Sequence, residues 1–299
     1  MGRKLTAFYL GLLAVFVLQQ ANAQVVDTLA LNNVKLYRSI PYGKTDPNQN
    51  IDLYVPLNAA KPMPTILWIH GGAWEGGFKN WIDVAYLTQH GYAIASIEYR
   101  FSQTAKFPAQ VIDCNEAIYF MWKNAAKYGL DTSRFVIGGA SAGGHLASLI
   151  GMSANNHMAS FYNDVKKESK VSLKAVLDFY GPADFNATHG KAVALDHDSQ
   201  ASVITKLLGA SILDRPDLAK IASPVTYVDK HDPPVLILHG DADELVPFFE
   251  SQLFNSWLKL AGVKSQLVKL PGIGHAGPAF SDPEHQKIVL DFLNEVLKK

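Results

Sequence analysis

Arg134-Phe135-Val136-Ile137-Gly138-Gly139-Ala140-Ser141-Ala142-Gly143-Gly144-His145-Leu146-Ala147 is the stretch on which the reading of this chain turns. Arg134 to Ile137 is short and β-branched, and predicts a strand. Leu146, Ala147, Leu149 and Ile150 begin an apolar pattern that predicts a helix. Between them Ser141 lies in Gly-x-Ser-x-Gly, the signature of a nucleophile elbow. A sharp turn of this kind strains the backbone, so its neighbours must be small. The hydroxyl is lifted clear of the sheet, and the new helix directs free backbone N–H groups at the same place. Gly-x-Ser-x-Gly also arises by chance in Gly-rich turns, so its partners along the chain decide the matter.

The first 23 residues are set aside before the fold is considered. Arg3 and Lys4 form a basic start, Ala7 to Leu18 is uncharged and apolar, and Ala21-Asn22-Ala23 offers a small-x-small cleavage pattern. That combination predicts a secretory signal peptide and a mature chain beginning near Gln24, with a periplasmic or extracellular destination. The apolar run is short for a bilayer span, which needs about 20 residues. No cysteine stands at the cleavage point, which speaks against a lipid anchor.

Of the 299 residues, 276 then follow the leader, enough for one large α/β domain over residues 24–299. Removing Arg3 and Lys4 leaves 25 basic against 27 acidic residues, so nothing points to a nucleic-acid partner. The single cysteine, Cys114, excludes an internal disulfide. Its neighbours Val111, Ala117, Ile118 and Met121 predict a core position on an amphipathic helix.

Strands are expected at 34–37, 51–55, 65–69, 93–97, 135–137, 175–179, 235–238 and 266–268. The first two alternate apolar and polar residues, as an antiparallel edge does; the later ones are apolar throughout, as strands covered on both faces are. Helical patterns run over 83–89, 108–128, 248–261 and 283–297. Alternation of this kind predicts a mostly parallel, eight-stranded sheet with helices on both faces. Residues 182–232 interrupt the rhythm and are expected to form a small helical lid, since a structureless loop that long is implausible in a compact domain. The charged stretch 155–170 is expected to be a solvated surface segment.

An activated serine needs a base, an acid to orient the base, and donors for an oxyanion. Of the two histidines near the end of the chain, His275 follows the last strand in the glycine-rich loop Gly272 to Gly277. It is the expected base; His285 reads as a solvated residue of the final helix. The acid is expected in the loop His239-Gly240-Asp241-Ala242-Asp243-Glu244, where spacing leaves Asp241, Asp243 and Glu244 open. Oxyanion donors are expected from the N–H of Ala142 and from His70-Gly71-Gly72-Ala73-Trp74, chiefly Gly72 and Ala73, with His70 fixing that loop. Trp74, Phe78, Trp81, Tyr99 and Tyr180 are candidates for an acyl or sugar pocket; Trp74, Tyr99 and Tyr180 are the ones selected.

Taken in order, HGGAW (70–74), IEYR (97–100), GASAGGHLA (139–147), ASPVTYV (222–228), HGDADELVP (239–247) and PGIGH (271–275) resemble one group of proteins. They are similar to the exported bacterial esterases of the bifunctional deacetylase/feruloyl esterase (BD-FAE) type, near the hormone-sensitive-lipase branch of the α/β hydrolases. The resemblance covers roughly residues 30–299. It implies the α/β-hydrolase fold, and it selects Asp243 as the acid, the residue four after His239. One departure is Ala73, where many relatives carry a third glycine. The implied activity is hydrolysis of acetyl or hydroxycinnamoyl esters on plant polysaccharides through Ser141, Asp243 and His275. No metal or organic cofactor is implied, as the sequence has neither a ligand cluster nor a phosphate loop. Two other readings are an amidase or peptidase using the same triad and a catalytically silent carbohydrate-binding relative.

Overall fold

The computed structural model describes residues 33–156, 158–163, 171–188, 199 and 201–298. The expected leader at 1–23, part of the expected lid and residues 164–170 of the charged stretch lie outside them.

The strands are β1 (Val34–Pro41), β2 (Asn50–Pro56), β3 (Met63–Ile69), β4 (Ala93–Ile97), β5 (Leu130–Ala140), β6 (Leu173–Phe179), β7 (Val235–Gly240) and β8 (Ser265–Leu270). They form one sheet in the order β1-β2-β4-β3-β5-β6-β7-β8. β2 pairs antiparallel with β1 and β4, and all other pairings are parallel. This is the expected α/β-hydrolase sheet. The four main helices are α1 (Ala109–Lys123), α2 (Ala142–Ser153), α3 (Phe249–Leu260) and α4 (Pro283–Val296).

Side chains of successive strand residues point to opposite faces, and the two apolar cores follow that period. In β3, Leu67 and Ile69 belong to one core with Cys114 of α1, Leu146 of α2 and Phe254 of α3. Ile66 and Trp68 belong to the other, with Val289, Phe292 and Leu293 of α4. Cys114 has no solvent exposure, and burial pushes its thiol well above the ordinary value, so it is core filling.

Several boundaries differ from the sequence pattern. The expected helix at 83–89 is a 3-10 helix, Ala85–His90, closed by Gly91 at φ 84°. The long helix expected at 108–128 breaks at Asn124, whose side-chain amide donates to Phe120 O at 2.8 Å, a local bond that competes with helical continuation. β5 begins five residues before the expected start, because Leu130 pairs with Met63. Within the stretch expected to be solvated, Phe161 is fully buried against Phe107 and Tyr227, and Asn115 donates to its carbonyl at 3.0 Å. Apolar packing outweighs the surrounding charges there.

The described part of 182–232 contains helices Phe185–Thr188, Val203–Leu208 and Pro216–Ile221 and the 3-10 turn Pro224–Tyr227. Phe185, Ile204, Leu207, Ala219 and Ala222 join the core on the α1–α3 face. Loops after β3, β5, β7 and β8 leave the carboxyl ends of parallel strands side by side, where ligands gather in sheets of this kind.

Candidate active site

Ser141 joins β5 to α2 at φ 55° and ψ −120°, a conformation non-glycine residues rarely adopt. Two backbone bonds hold it: its N–H donates to Phe179 O at 2.8 Å, and its carbonyl accepts from His145 N at 2.9 Å. The turn is tight enough to require its glycines. A Cβ on Gly143 would stand 2.0 Å from Ile69 O, so the residue two beyond the serine cannot carry a side chain. Strain in this molecule concentrates around Ser141. Of the seven described non-glycine residues with positive φ, Ala73, Trp74, Ser141, Tyr180 and Ala276 belong to the loops at this site.

The loops after β7 and β8 complete a relay. His275 Nε2 lies 2.8 Å from Ser141 Oγ, so the hydroxyl donates to the ring. His275 Nδ1 donates to Asp243 Oδ2 at 2.6 Å. The other carboxylate oxygen, Oδ1, accepts the N–H groups of Leu245 and Val246, each at 2.9 Å. Burial opposes the charge on Asp243. The charge of His275 and the bonds from two imidazoles outweigh it and hold the carboxyl well below the usual range.

The three candidate acids are now distinguishable. Asp241 is exposed and pins a turn, accepting from Gly272 N at 2.6 Å and pairing with Lys269 Nζ at 3.1 Å. Glu244 is exposed, and only Asp243 meets His275. His285 instead closes the start of α4, its Nδ1 2.8 Å from Asp282 Oδ1, and is more sheltered than a solvated residue.

Sequence reasoning missed His239, the histidine of β7. Its ring is fully buried, with Nε2 donating to Asp243 Oδ2 at 3.1 Å and to Val246 O at 2.8 Å. Both partners are acceptors, so Nε2 carries the proton and Nδ1 accepts from Ser251 Oγ at 2.6 Å. The signal was present: a histidine at a strand end, four residues before the acid.

On the opposite side the loop after β3 is pinned by His70. Its Nδ1 lies 2.6 Å from Gly71 O and its Nε2 2.8 Å from Glu98 Oε1, while Tyr99 stacks on the ring at 4.7 Å. Gly72 at φ 115° has no room for a side chain, since a Cβ would meet Gly76 O at 2.1 Å. Ala73 and Ala142 both line the cavity over Ser141. Ala142 opens α2, where the first N–H groups of a helix have no partner within it.

That cavity measures about 40 Å³ and is walled by Ala73, Trp74, Pro182, Val203, Ile204 and Val246 among the described residues. Trp74 therefore sits where a pocket residue was expected. Tyr99 and Tyr180 do not. Tyr99 has no exposure and its hydroxyl donates to His70 O at 3.2 Å, because residue 99 continues the inward face of β4. Tyr180 is wedged between His275 and Phe280, with ring centroids 4.8 and 4.5 Å away. It backs the imidazole. Phe78, by contrast, is exposed and packs edge-on against Trp81. No cluster of residues among those described could hold a metal ion.

With this geometry established, three comparisons bear on the chain. The family model described as BD-FAE matches residues 51–258. Esterase LipC of Mycobacterium tuberculosis is 30% identical over 272 residues, covering 87% of this chain and 65% of that protein. The chain spans somewhat under two thirds of the length of the curated relatives it matches. A truncated carbohydrate esterase from gut microbiota superposes with a TM-score of 0.77 at 30% identity, over 89% of this chain and 97% of that one. Esterase B of Lactobacillus rhamnosis shares the fold with a TM-score of 0.78 at 22% identity, over 97% of this chain and 94% of that one.

Proposed function

The chain belongs to the BD-FAE family, and from that premise we propose that it is a serine carboxylesterase that removes short acyl groups, acetyl above all, from carbohydrate esters. The observation that carries the reading is the continuous relay from Asp243 through His275 to Ser141 Oγ, with contacts of 2.6 and 2.8 Å, beside a small apolar cavity.

In the proposed reaction His275 Nε2 takes the proton of Ser141 as Oγ attacks the ester carbonyl carbon. Asp243 keeps Nδ1 protonated and stabilises the imidazolium that forms. The N–H groups of Gly72, Ala73 and Ala142 receive the oxyanion, each donor typically contributing about 2.7–4 kcal/mol to the barrier reduction. The tetrahedral adduct collapses, His275 returns the proton to the departing alcohol, and the acyl group is left on Ser141. Water, deprotonated by the same imidazole, then cleaves the acyl-enzyme and restores the hydroxyl.

The lining of the cavity supports the acyl preference. Its apolar walls, Ala73, Trp74, Pro182, Val203, Ile204 and Val246 beside Ser141, suit a short acyl chain such as acetyl. The carbohydrate part of the proposal draws on the gut carbohydrate esterase at 30% identity and on the signal-peptide pattern at residues 1–23, which supports export to where such substrates occur. A panel of p-nitrophenyl acetate, butyrate and octanoate, methyl ferulate, an aryl formamide and acetylated xylo-oligosaccharides tests it. The expected order places acetyl esters first, with octanoate at least about tenfold lower in kcat/KM, because forcing methylenes into closed packing costs about 1–3 kcal/mol. Fastest turnover of ferulate or formamide would overturn the acyl assignment.

A further inference from the structure

A second cleft, of about 690 Å³, lies outside the serine site. Its length runs along one face of α1, whose residues Ala109, Ile112, Glu116, Tyr119 and Lys123 recur at helical spacing and all line it. From the first to the last of these the helix rises roughly 21 Å, so the cleft is a groove rather than a round pocket. Opposite α1 stands the turn between β1 and β2, with Lys44, Thr45 and Gln49.

This groove has a built wall. Asp113, fully buried, accepts from Gln49 Nε2 at 2.9 Å and pairs with Arg100 at 2.8 Å, tying the turn and the end of β4 to α1. Tyr119 stacks on Trp122 with ring centroids 6.0 Å apart, which fixes the tyrosine ring. One end approaches the reaction centre. Lys106, a lining residue, donates to Lys206 O at 2.8 Å, in the same short helix whose Val203 and Ile204 wall the cavity over Ser141.

The charge of the groove is lopsided. Lys44, Arg100, Lys106 and Lys123 line it, against Glu116 as the only lining carboxylate among the described residues. Glu116 accepts from Asn163, and Arg100 is neutralised by Asp113. Among the described residues Lys106 bonds only to the carbonyls of Ser102 and Lys206, and none of the ion pairs or hydrogen bonds there uses Nζ of Lys44 or Lys123. Among the described residues, three ammonium groups thus line the groove without a carboxylate of their own.

We propose that this groove binds an acidic oligosaccharide, a linear sugar chain bearing uronate groups, and holds the polymer whose ester is presented to Ser141. An elongated cleft suits a linear chain, a fixed aromatic ring suits the apolar face of a pyranose, and Lys44 and Lys123 supply counter-charges for carboxylates. A nucleic acid is disfavoured because the whole chain carries no net positive charge. The inference deepens the carbohydrate-ester reading and rests on it.

The test separates the two. Ser141→Ala protein is titrated calorimetrically with de-esterified xylo-oligosaccharides carrying glucuronic acid, with the same oligosaccharides after reduction of the carboxyl to an alcohol, and with a single-stranded oligonucleotide. The same background carrying Lys44→Ala/Lys123→Ala, or Tyr119→Ala, is titrated alongside. All three altered residues are at least partly exposed, so folding is expected to survive. Acidic oligosaccharide should bind at least about tenfold more tightly than its reduced form, lose that advantage in the double lysine variant, and weaken with salt. In the Ser141 enzyme the lysine changes should raise KM for acetylated acidic oligosaccharides while leaving p-nitrophenyl acetate turnover unchanged. Equal binding of acidic and reduced chains, tighter binding of the oligonucleotide, or indifference to both variants would overturn the groove assignment. Absence of p-nitrophenyl acetate turnover in the Ser141 enzyme would instead overturn the esterase reading on which it rests.

Discussion

Two loops flank Ser141, and both begin in the same way. β3 ends into His70-Gly71 and β7 ends in His239-Gly240. In each the imidazole is fully buried and bonded to a carboxylate, Glu98 at 2.8 Å and Asp243 at 3.1 Å. The difference lies in what else the carboxylate touches. Glu98 accepts from Lys79 N and meets no second imidazole. Asp243 meets His275, which in turn meets the hydroxyl. One device, a buried histidine at a strand end, therefore anchors the loop proposed to donate to the oxyanion on one side and the proposed proton relay on the other. A carboxylate becomes part of the chemistry only when a second imidazole links it to the nucleophile.

Breaking the relay itself gives the largest expected effect. Ser141→Ala and His275→Ala should each lower kcat for p-nitrophenyl acetate on the order of 10⁶-fold, measured at saturating ester. The next test separates the acids two residues apart. Asp243→Asn should cost on the order of 10⁴-fold in kcat, as a lost tautomer lock does. Asp241→Asn should stay within about twofold, since it pins only an exposed turn; equal losses would remove the distinction between them.

Third come the two anchors. His70→Ala and His239→Ala should each lower kcat on the order of 10²-fold, the cost of letting reacting groups drift by about 1 Å. They should differ in acid stability. The lowered carboxyl of Asp243 contributes stability that is fully present above its unfolded pKa of about 3.9 and is lost as pH falls through the folded value. His239 helps to lower it, so the acid-unfolding midpoint should move to higher pH in His239→Ala and stay nearer the parent in His70→Ala.

The smallest effect concerns His145, one turn into α2. It is fully buried between Trp74 and Phe185, donates Nε2–H to Ala222 O at 2.7 Å, and leaves Nδ1 without a partner among the described residues. Burial lowers its pKa to about 4, so the unfolded chain takes up a proton near pH 6.5 that the folded one refuses. Stability should then fall as pH drops from about 6.5 towards 4, by about 3 kcal/mol at most. Urea denaturation of His145→Gln across that range should give a flatter pH dependence.

The contrast between the two loops also explains what the sequence could reveal. The meeting of Ser141 with His275 was legible because each stands in a glycine-rich loop after a predicted strand, and strand order then puts those loops together. Spacing alone left Asp241, Asp243 and Glu244 open, since the choice depends on burial created by His239 and by the N–H groups of Leu245 and Val246; only the family resemblance selected Asp243. Tyr99 was misread as a pocket residue because an aromatic beyond a strand end looks the same whether its ring turns outward or, as here, back onto His70. The groove along α1 was illegible for a related reason. Its lysines come from a turn, a loop and a helix that are scattered in sequence, with Asp113 tying the turn and the end of β4 to the helix.

The central claim is that Ser141 carries the acyl group between two proton transfers through His275. Acid-quenching the enzyme during turnover of p-nitrophenyl acetate, then digesting it and mapping by mass spectrometry, tests this most directly. The account predicts one added acetyl group on the peptide containing Ser141, absent from Ser141→Ala and washed out on standing before the quench. An acetyl group on another residue in the parent enzyme, with full turnover retained in Ser141→Ala, would contradict it.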